Sequence, residues 1–172
     1  MLYHMKKDYE TALVRSQAAE ALFRKANIQA HVAATLHEQG LICNEMARAA
    51  DGEQSEEYWE TAVARFQSSL AISRRIGNES GAADTLVGLG MIFKDSGRME
   101  EAISAYNEAL AIQKPLGQPV KIAITIEHLG SVHERQGQYT AALAKYRECL
   151  ALMQQYAPHN TAIVQNDIAR VQ

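Results

Sequence analysis

Residues 83–116, ADTLVGLGMIFKDSGRMEEAISAYNEALAIQKPL, contain two helical patterns separated by a short break. Apolar and small residues recur at helical spacing, first at Leu86, Leu89, Gly90 and Phe93 and then at Ala102, Tyr106, Ala109 and Leu110. Ser96 and Gly97 interrupt the two runs and indicate a tight turn. This stretch therefore predicts a hairpin of two antiparallel helices.

The same pattern recurs along nearly the whole chain. One alanine of the second helix repeats at Ala12, Ala62, Ala102 and Ala142, with spacings of 50, 40 and 40 residues. A large residue stands four positions later at Phe66, Tyr106 and Tyr146, and the preceding helix carries Gly40, Gly90 and Gly130 at a constant offset. Self-similarity at about 40 residues indicates stacked hairpins, so the predicted fold class is an all-α solenoid.

The glycines in these helices have a packing explanation. A glycine inside a helix costs on the order of 1 kcal/mol relative to alanine, so three at one repeat position indicate a close helix–helix approach. We expect Gly40, Gly90 and Gly130 to lie opposite a small face formed by Ala62, Ala102 and Ala142. Asn27, Gly77 and Gly117 align after the second helices, where a left-handed residue ends a helix.

The residues Leu86-x-x-Leu89-Gly90-x-x-Phe93, followed by Ala102-x-x-x-Tyr106-x-x-Ala109, resemble the tetratricopeptide repeat, in a variant of about 40 residues. The resemblance implies a right-handed α-solenoid of antiparallel helix hairpins. Its boundaries would be a partial first repeat at 1–29, a repeat with a ten-residue insertion at 30–78, repeats at 79–118 and 119–158, and a C-terminal capping helix at 159–172.

Three segments depart from the regular repeat. Residues 1–6 read as the end of a first helix, followed by a second helix from Asp8 to Lys25. The insertion predicts a protruding hairpin with its turn at Asp51 and a helix N-cap at Ser55. The tip of this hairpin, residues 51–55, is either a contact surface specific to this protein or an insertion that the fold tolerates. In the capping helix, we expect Asn166, Asp167 and Arg170 to face water.

The composition argues against several classes of partner. The formal net charge is −3, and 17 basic residues are scattered among 20 acidic ones, so no basic patch favours nucleic acid or an anionic membrane. No apolar run approaches the roughly 20 residues that span a bilayer. The two cysteines, Cys43 and Cys149, form no disulfide framework and fall on predicted core positions. These features favour a cytoplasmic protein.

The candidate catalytic and metal-binding motifs in the sequence are incomplete. His37-Glu38 and His133-Glu134 each lack a second histidine at the spacing of a zinc-binding helix, and His128 lies five residues from His133, on another helix face. We interpret His128 and His133 as surface or groove residues. No nucleophile, base and orienting group converge, so we predict no enzyme, no metal and no cofactor.

The resemblance implies a binding site on the concave wall formed by the first helices. In the family, four positions of each first helix face the groove. In this sequence those positions are occupied by Ala34, His37, Leu41, Asn44, Asp84, Val87, Met91, Lys94, Ile124, Glu127, Ser131 and Glu134. Leu41, Val87 and Met91 would form an apolar floor, and Glu127 and Glu134 an acidic end. Only Asn44 and Lys94 match the family's clamp for acidic chaperone tails, so a basic or mixed polar and apolar protein partner is the better prediction.

The leading functional hypothesis is a non-enzymatic protein-interaction module that binds a peptide or a partner helix in the groove. One alternative is a regulatory or sensory segment of a larger signalling protein, such as a signal-transducing ATPase or a transcription activator. Another is a self-assembling scaffold, because an incomplete first repeat would leave an apolar N-terminal edge uncovered and able to stack on another copy.

Overall fold

A computed structural model describes residues 2–172 of this protein, with the side chains of residues 8–172. This part of the chain folds into eight α-helices and a short 3-10 turn, and it contains no strand. The helices are α1 (Leu2–Lys25), α2 (Gln29–Ala49), α3 (Gly52–Arg75), α4 (Glu79–Asp95), α5 (Met99–Gln113), α6 (Pro119–Arg135), α7 (Tyr139–Tyr156) and α8 (Ala162–Val171), with the 3-10 turn at Pro158–Asn160.

Consecutive helices pack as antiparallel hairpins. The main hairpins are α2 with α3, α4 with α5 and α6 with α7, while α1 packs on α2 and α8 on α7. The first helices of these hairpins, α2, α4 and α6, also contact one another in sequence, so the hairpins stack side by side. The predicted all-α solenoid is confirmed.

An aromatic ring against a glycine forms the centre of each main hairpin. A Cβ atom added to Gly90 would lie 2.5 Å from the ring of Tyr106, and the same holds for Gly40 with Phe66 at 2.7 Å and Gly130 with Tyr146 at 2.6 Å. These rings are completely buried. The prediction that the glycines face Ala62, Ala102 and Ala142 is therefore wrong: those alanines are buried too, but it is the ring one turn later that needs the space.

The same rings also join each hairpin to the next. Phe66 touches the backbone of Gly88 on α4, where an added Cβ would lie 2.5 Å from the ring. One repeat later, His128 on α6 stacks on Tyr106 with ring centroids 5.5 Å apart. Phe66 and Tyr106 thus pack against the first helix of their own hairpin and against the first helix of the following one.

At the N-terminal end, polar contacts replace the ring. Ser16 occupies the aromatic position of α1, and its hydroxyl donates to the Glu38 carboxylate at 2.9 Å. Glu20 accepts from the side-chain amide of Gln39 at 2.9 Å. Leu22 is 68% exposed, although Ile72, 50 residues later on α3, is 8% exposed. The expected uncovered apolar edge of α1 is present, and whether another copy covers it stays a prediction.

Left-handed residues end the second helices as predicted. Gly77 has a φ of 69° and Asn27 a φ of 57°. After Gly77, the amide of Asn78 donates back to the carbonyl of Ser73 at 2.9 Å, which caps the end of α3.

The turn between the helices of a hairpin depends on a glycine in two hairpins. Gly97 and Gly137 have φ values of 82° and 73° between the first and second helix. Lys7 and Glu57 stand at this repeat position in the first two units, and α1 and α3 run through them without a break. The predicted division of residues 1–25 into two helices is wrong for this reason; residue 1 itself lies outside the described part.

The ten-residue insertion lengthens both helices of the hairpin formed by α2 and α3. Compared with α4 and α5, α2 is four residues longer at its C-terminal end and α3 begins seven residues earlier. Asp51 is the N-cap residue of α3. The predicted N-cap at Ser55 is wrong, because Ser55 lies inside α3, where its buried hydroxyl donates to the Ala47 carbonyl at 2.8 Å.

The C-terminal helix α8 covers the last hairpin with Val164, which is 1% exposed. Asn166 and Arg170 are exposed, as expected. Asp167 is not, since its side chain is 13% exposed and forms an ion pair with Arg170 at 2.9 Å.

Candidate functional site

The candidate site lies on the wall formed by α2, α4 and α6. Eleven of the twelve predicted groove residues are at least partly exposed there. Asn44 differs, with 2% exposure. Helix α2 continues to Ala49 beyond Asn44, whereas α4 and α6 end one residue after Lys94 and Glu134 at the same repeat position. The Asn44 side chain is therefore not accessible to a partner.

An apolar cavity of about 270 Å³ opens at the centre of this wall. Six predicted residues line it, namely His37, Leu41, Asp84, Val87, Met91 and Ile124. Leu41 and Ile124 are 38% and 39% exposed, so apolar surface is open to solvent on both sides of the cavity. Four residues that sequence reasoning missed complete the lining: Gly88, Gln113, Lys121 and Thr125.

An ion pair borders the apolar cavity. Lys121 on α6 lies 2.7 Å from both carboxylate oxygens of Asp84 on α4, and it also reaches the Ser80 hydroxyl at 3.1 Å. Lys121 stands one helical turn before Ile124, so extending the predicted stripe by one turn would have found it.

A second cavity of about 200 Å³ lies beside the first, between α2 and α4. His37 and Asp84 line both cavities. Its other lining residues are small or polar: Ala30, Ala33, Ala34, Ser69, Ser73, Asn78, Gly81 and Thr85.

One of the two carboxylates at the predicted acidic end of the groove is paired with a cation. Two nitrogens of Arg170 lie 2.6 and 2.8 Å from the Glu134 carboxylate, which also accepts from the Tyr146 hydroxyl at 2.7 Å. The hydrogen bonds from Arg170 lower the pKa of Glu134 most strongly. Glu127 has a raised pKa because it is desolvated and lies near Asp167. Glu134 is therefore an ion-paired carboxylate, and the acidic character of this end of the groove stays a prediction.

Lys94 and Ser131 lie on the same side of the groove as Glu127. The Lys94 ammonium reaches the Ser131 hydroxyl only at 3.5 Å. Burial lowers the pKa of Lys94, although the nearby Asp95 raises it. The Lys94 side chain is partly exposed and has no ion pair among the contacts of the described residues.

The histidines of the groove region have different surroundings. His37 contacts the edge of the Phe66 ring, with centroids 5.1 Å apart, and burial lowers its pKa. Burial also lowers the pKa of His128 to about 4, because its ring is stacked between two hairpins. His128 is half-buried against the Tyr106 ring. At the surface, the Nδ1 of His133 donates a hydrogen bond to the side-chain oxygen of Gln138 at 2.7 Å.

Within residues 8–172, no three metal-ligating side chains come together. Cys43 and Cys149 are both fully buried, as predicted for core residues. Burial raises the pKa of the Cys149 thiol to about 12, which disfavours the reactive thiolate. Among the described helices, none is long and apolar enough to cross a membrane.

Comparison with solved structures shows the same architecture over 99% of this chain. A putative kinesin light chain from Podosopora anserina with nearly identical TPR-like repeats, as its Q17M variant, is 16% identical, with a TM-score of 0.68 and 81% of its own length covered. BtubC (BKLC) from P. vanneervenii is 17% identical, with a TM-score of 0.59 and 83% of its length covered. At these identities the likeness concerns the fold.

No curated protein matches this sequence. The tetratricopeptide repeat family model matches residues 46–114 and 121–172, which is well over half of the chain. The match spans the end of α2 and the helices α3 to α8, apart from residues 115–120. The chain therefore belongs to the tetratricopeptide repeat family.

Proposed function

We propose that this protein is a non-enzymatic interaction module whose groove binds a segment of a protein partner at the apolar cavity. Tetratricopeptide repeats generally mediate protein–protein interaction. The observation that carries the proposal is the partly exposed apolar lining of Leu41, Val87, Met91 and Ile124, contributed by three successive first helices. An apolar concavity with a few polar groups at its rim is the usual form of a binding site.

The chemistry of the groove selects among partners. Its apolar centre favours an apolar side chain of the partner as the anchor, since desolvated central contacts dominate binding free energy. An acidic tail is a poor fit, because Asn44 is buried and Lys121 is already paired with Asp84. The partner segment we propose is therefore apolar at its anchor and neutral or basic elsewhere.

A selection from a phage-displayed library of random 12-residue peptides tests this function. The sensitive variant is Ile124→Asp, which places a charge at the apolar cavity. The matched control is Ile76→Asp, because Ile76 has the same exposure of 39% but lines neither cavity. We expect selected peptides to lose at least tenfold in affinity for I124D and to bind I76D like the wild-type chain.

Equal binding to I124D and the wild-type chain would contradict the proposal, and so would a selection that yields no binder or one dominated by acidic peptides. Light scattering over a dilution series separates the self-assembly alternative, since a groove-binding module keeps its mass constant on dilution. The regulatory-segment alternative concerns the protein that carries the module and leaves this test unchanged.

A further inference from the structure

The wall of the apolar cavity contains one side-chain amide that is held at only one of its two polar ends. Gln113 is the last residue of α5, is 1% exposed and lines this cavity. Its side-chain oxygen accepts a hydrogen bond from the Thr125 hydroxyl at 2.9 Å. Thr125 is completely buried and lines the cavity as well. The oxygen end of the Gln113 amide is therefore fixed by α6.

The nitrogen end of this amide faces the cavity. Within residues 8–172, the side-chain nitrogen of Gln113 donates no hydrogen bond. It is also not enclosed by protein atoms, in contrast to the unpaired side-chain oxygen of Gln118. Since Gln113 is 1% exposed and lines the apolar cavity, the open space next to this nitrogen is the cavity itself. Buried polar groups are normally paired, so this donor is a contact for an acceptor that an occupant supplies.

The amide at this repeat position is specific to the wall of the apolar cavity. The other second helices carry Phe23, Ser73 and Met153 at the same position. Met153 is 4% exposed, so the repeat accommodates a buried apolar side chain of similar length there. Helix packing alone therefore does not require an amide at Gln113.

The size and the apolar lining of the cavity fit an aromatic ring. Its volume is about 270 Å³, and apolar cavities of roughly 150 Å³ accept benzene. Leu41, Val87 and Ile124 offer apolar contacts, and the thioether of Met91 interacts favourably with aromatic rings. Tyrosine combines such a ring with a hydroxyl oxygen that accepts hydrogen bonds, and a buried tyrosine hydroxyl normally has a partner.

We infer that the apolar cavity binds a tyrosine side chain of the partner segment, with the Gln113 amide donating a hydrogen bond to the phenolic oxygen. Gln113 then distinguishes tyrosine from phenylalanine or leucine, because a purely apolar anchor covers the amide and leaves it unpaired. This inference rests on the proposed function and specifies the anchor of the partner segment.

A double-mutant cycle between peptide and protein tests this inference. The peptides selected on the wild-type chain are made with tyrosine and with phenylalanine at the anchor, and binding is measured by fluorescence anisotropy. The variant Gln113→Met copies Met153 and removes the amide at similar side-chain length. Thr125 keeps its hydrogen bond to the Lys121 carbonyl at 2.9 Å in this variant, and thermal unfolding checks that the variant folds.

We expect the selected peptides to share a tyrosine. On the wild-type chain, phenylalanine in its place should weaken binding about fivefold, as for the loss of one hydrogen bond. On Q113M the two peptides should differ less than twofold. A second readout needs no variant: in NMR of the wild-type chain, the side-chain amide signals of Gln113 should shift with the tyrosine peptide more than with the phenylalanine peptide.

Peptides that lose affinity for I124D but share no tyrosine would overturn this inference and leave the proposed function standing. The same conclusion would follow from equal binding of the tyrosine and phenylalanine peptides to the wild-type chain, from an equal difference between them on the wild-type chain and Q113M, or from equal Gln113 amide signals with both peptides. Peptides that bind I124D as well as they bind the wild-type chain would overturn both.

Discussion

The three main hairpins and the N-terminal helix α1 use the same repeat position in opposite ways. In the hairpins, Phe66, Tyr106 and Tyr146 fill that position and bury a complete ring against glycine. In α1, Ser16 occupies it and hydrogen-bonds to Glu38. Apolar burial contributes more free energy than a part-buried polar contact. The difference shows that the stability of the stack is concentrated in its centre and declines toward α1.

Truncating one buried ring should cause the largest loss in the free energy of unfolding. Tyr106→Ala removes a side chain that is 0% exposed and in contact with α4 and α6, and we expect a loss of about 3–5 kcal/mol in the free energy of unfolding. Ser16→Ala is the matched change in α1 and should cost only about 1 kcal/mol. Urea unfolding measures both; similar losses would show that the stack is uniformly stable.

The junction between the second and third main hairpins should weaken in mild acid. His128 has a pKa of about 4 in the folded protein and 6.5 as its ordinary value, so the folded state resists its protonation. The contribution of neutral His128 to the free energy of unfolding is therefore complete above pH 6.5 and is lost as the pH falls toward 4. Between pH 7 and pH 5 the loss should be about 2 kcal/mol.

The control for this pH effect is His128→Phe, which keeps a ring on Tyr106 and does not titrate. Its free energy of unfolding should change less between pH 7 and pH 5 than that of the wild-type chain. The same pH dependence in both proteins would contradict a role for His128. Because Lys94 and Asp95 also act on its pKa, with opposite signs, the two proteins should be compared at one ionic strength.

The smallest expected change in the free energy of unfolding comes from removing the hydroxyls of Tyr106 and Tyr146. The Tyr146 hydroxyl donates to Glu134, so Tyr146→Phe should cost about 1–2 kcal/mol. Within the described residues the buried Tyr106 hydroxyl has no hydrogen-bond partner, so Tyr106→Phe should change the free energy of unfolding by less than about 0.5 kcal/mol or raise it. Equal costs for the two changes in thermal unfolding would contradict these assignments.

Local sequence pattern was enough to predict the hairpins and the stripe of groove residues. The helix period, the left-handed residues at Gly77 and Gly117 and the contacts of Tyr106 and Tyr146 with the glycines of their own hairpins are all local. Their geometry follows from spacing alone. For the same reason, six of the predicted residues were found around one cavity.

Contacts between hairpins could not be predicted in this way. The pairing of Lys121 with Asp84 and of Arg170 with Glu134 joins residues 36 or 37 positions apart, and it depends on how far each first helix slides along its neighbour. The continuity of α1 follows from a local feature, since Lys7 stands where a turn needs a glycine. The burial of Asn44 depends on the extra length of α2.

The most direct test of a groove-binding module is to map a selected 12-residue peptide on the chain by amide chemical-shift changes in NMR. The account predicts the largest changes at Leu41, Val87 and Ile124, with exposed positions on the second helices, such as Ser68 and Glu108, unaffected. Changes concentrated on α3 and α5, with the amides of α2, α4 and α6 unchanged, would contradict it.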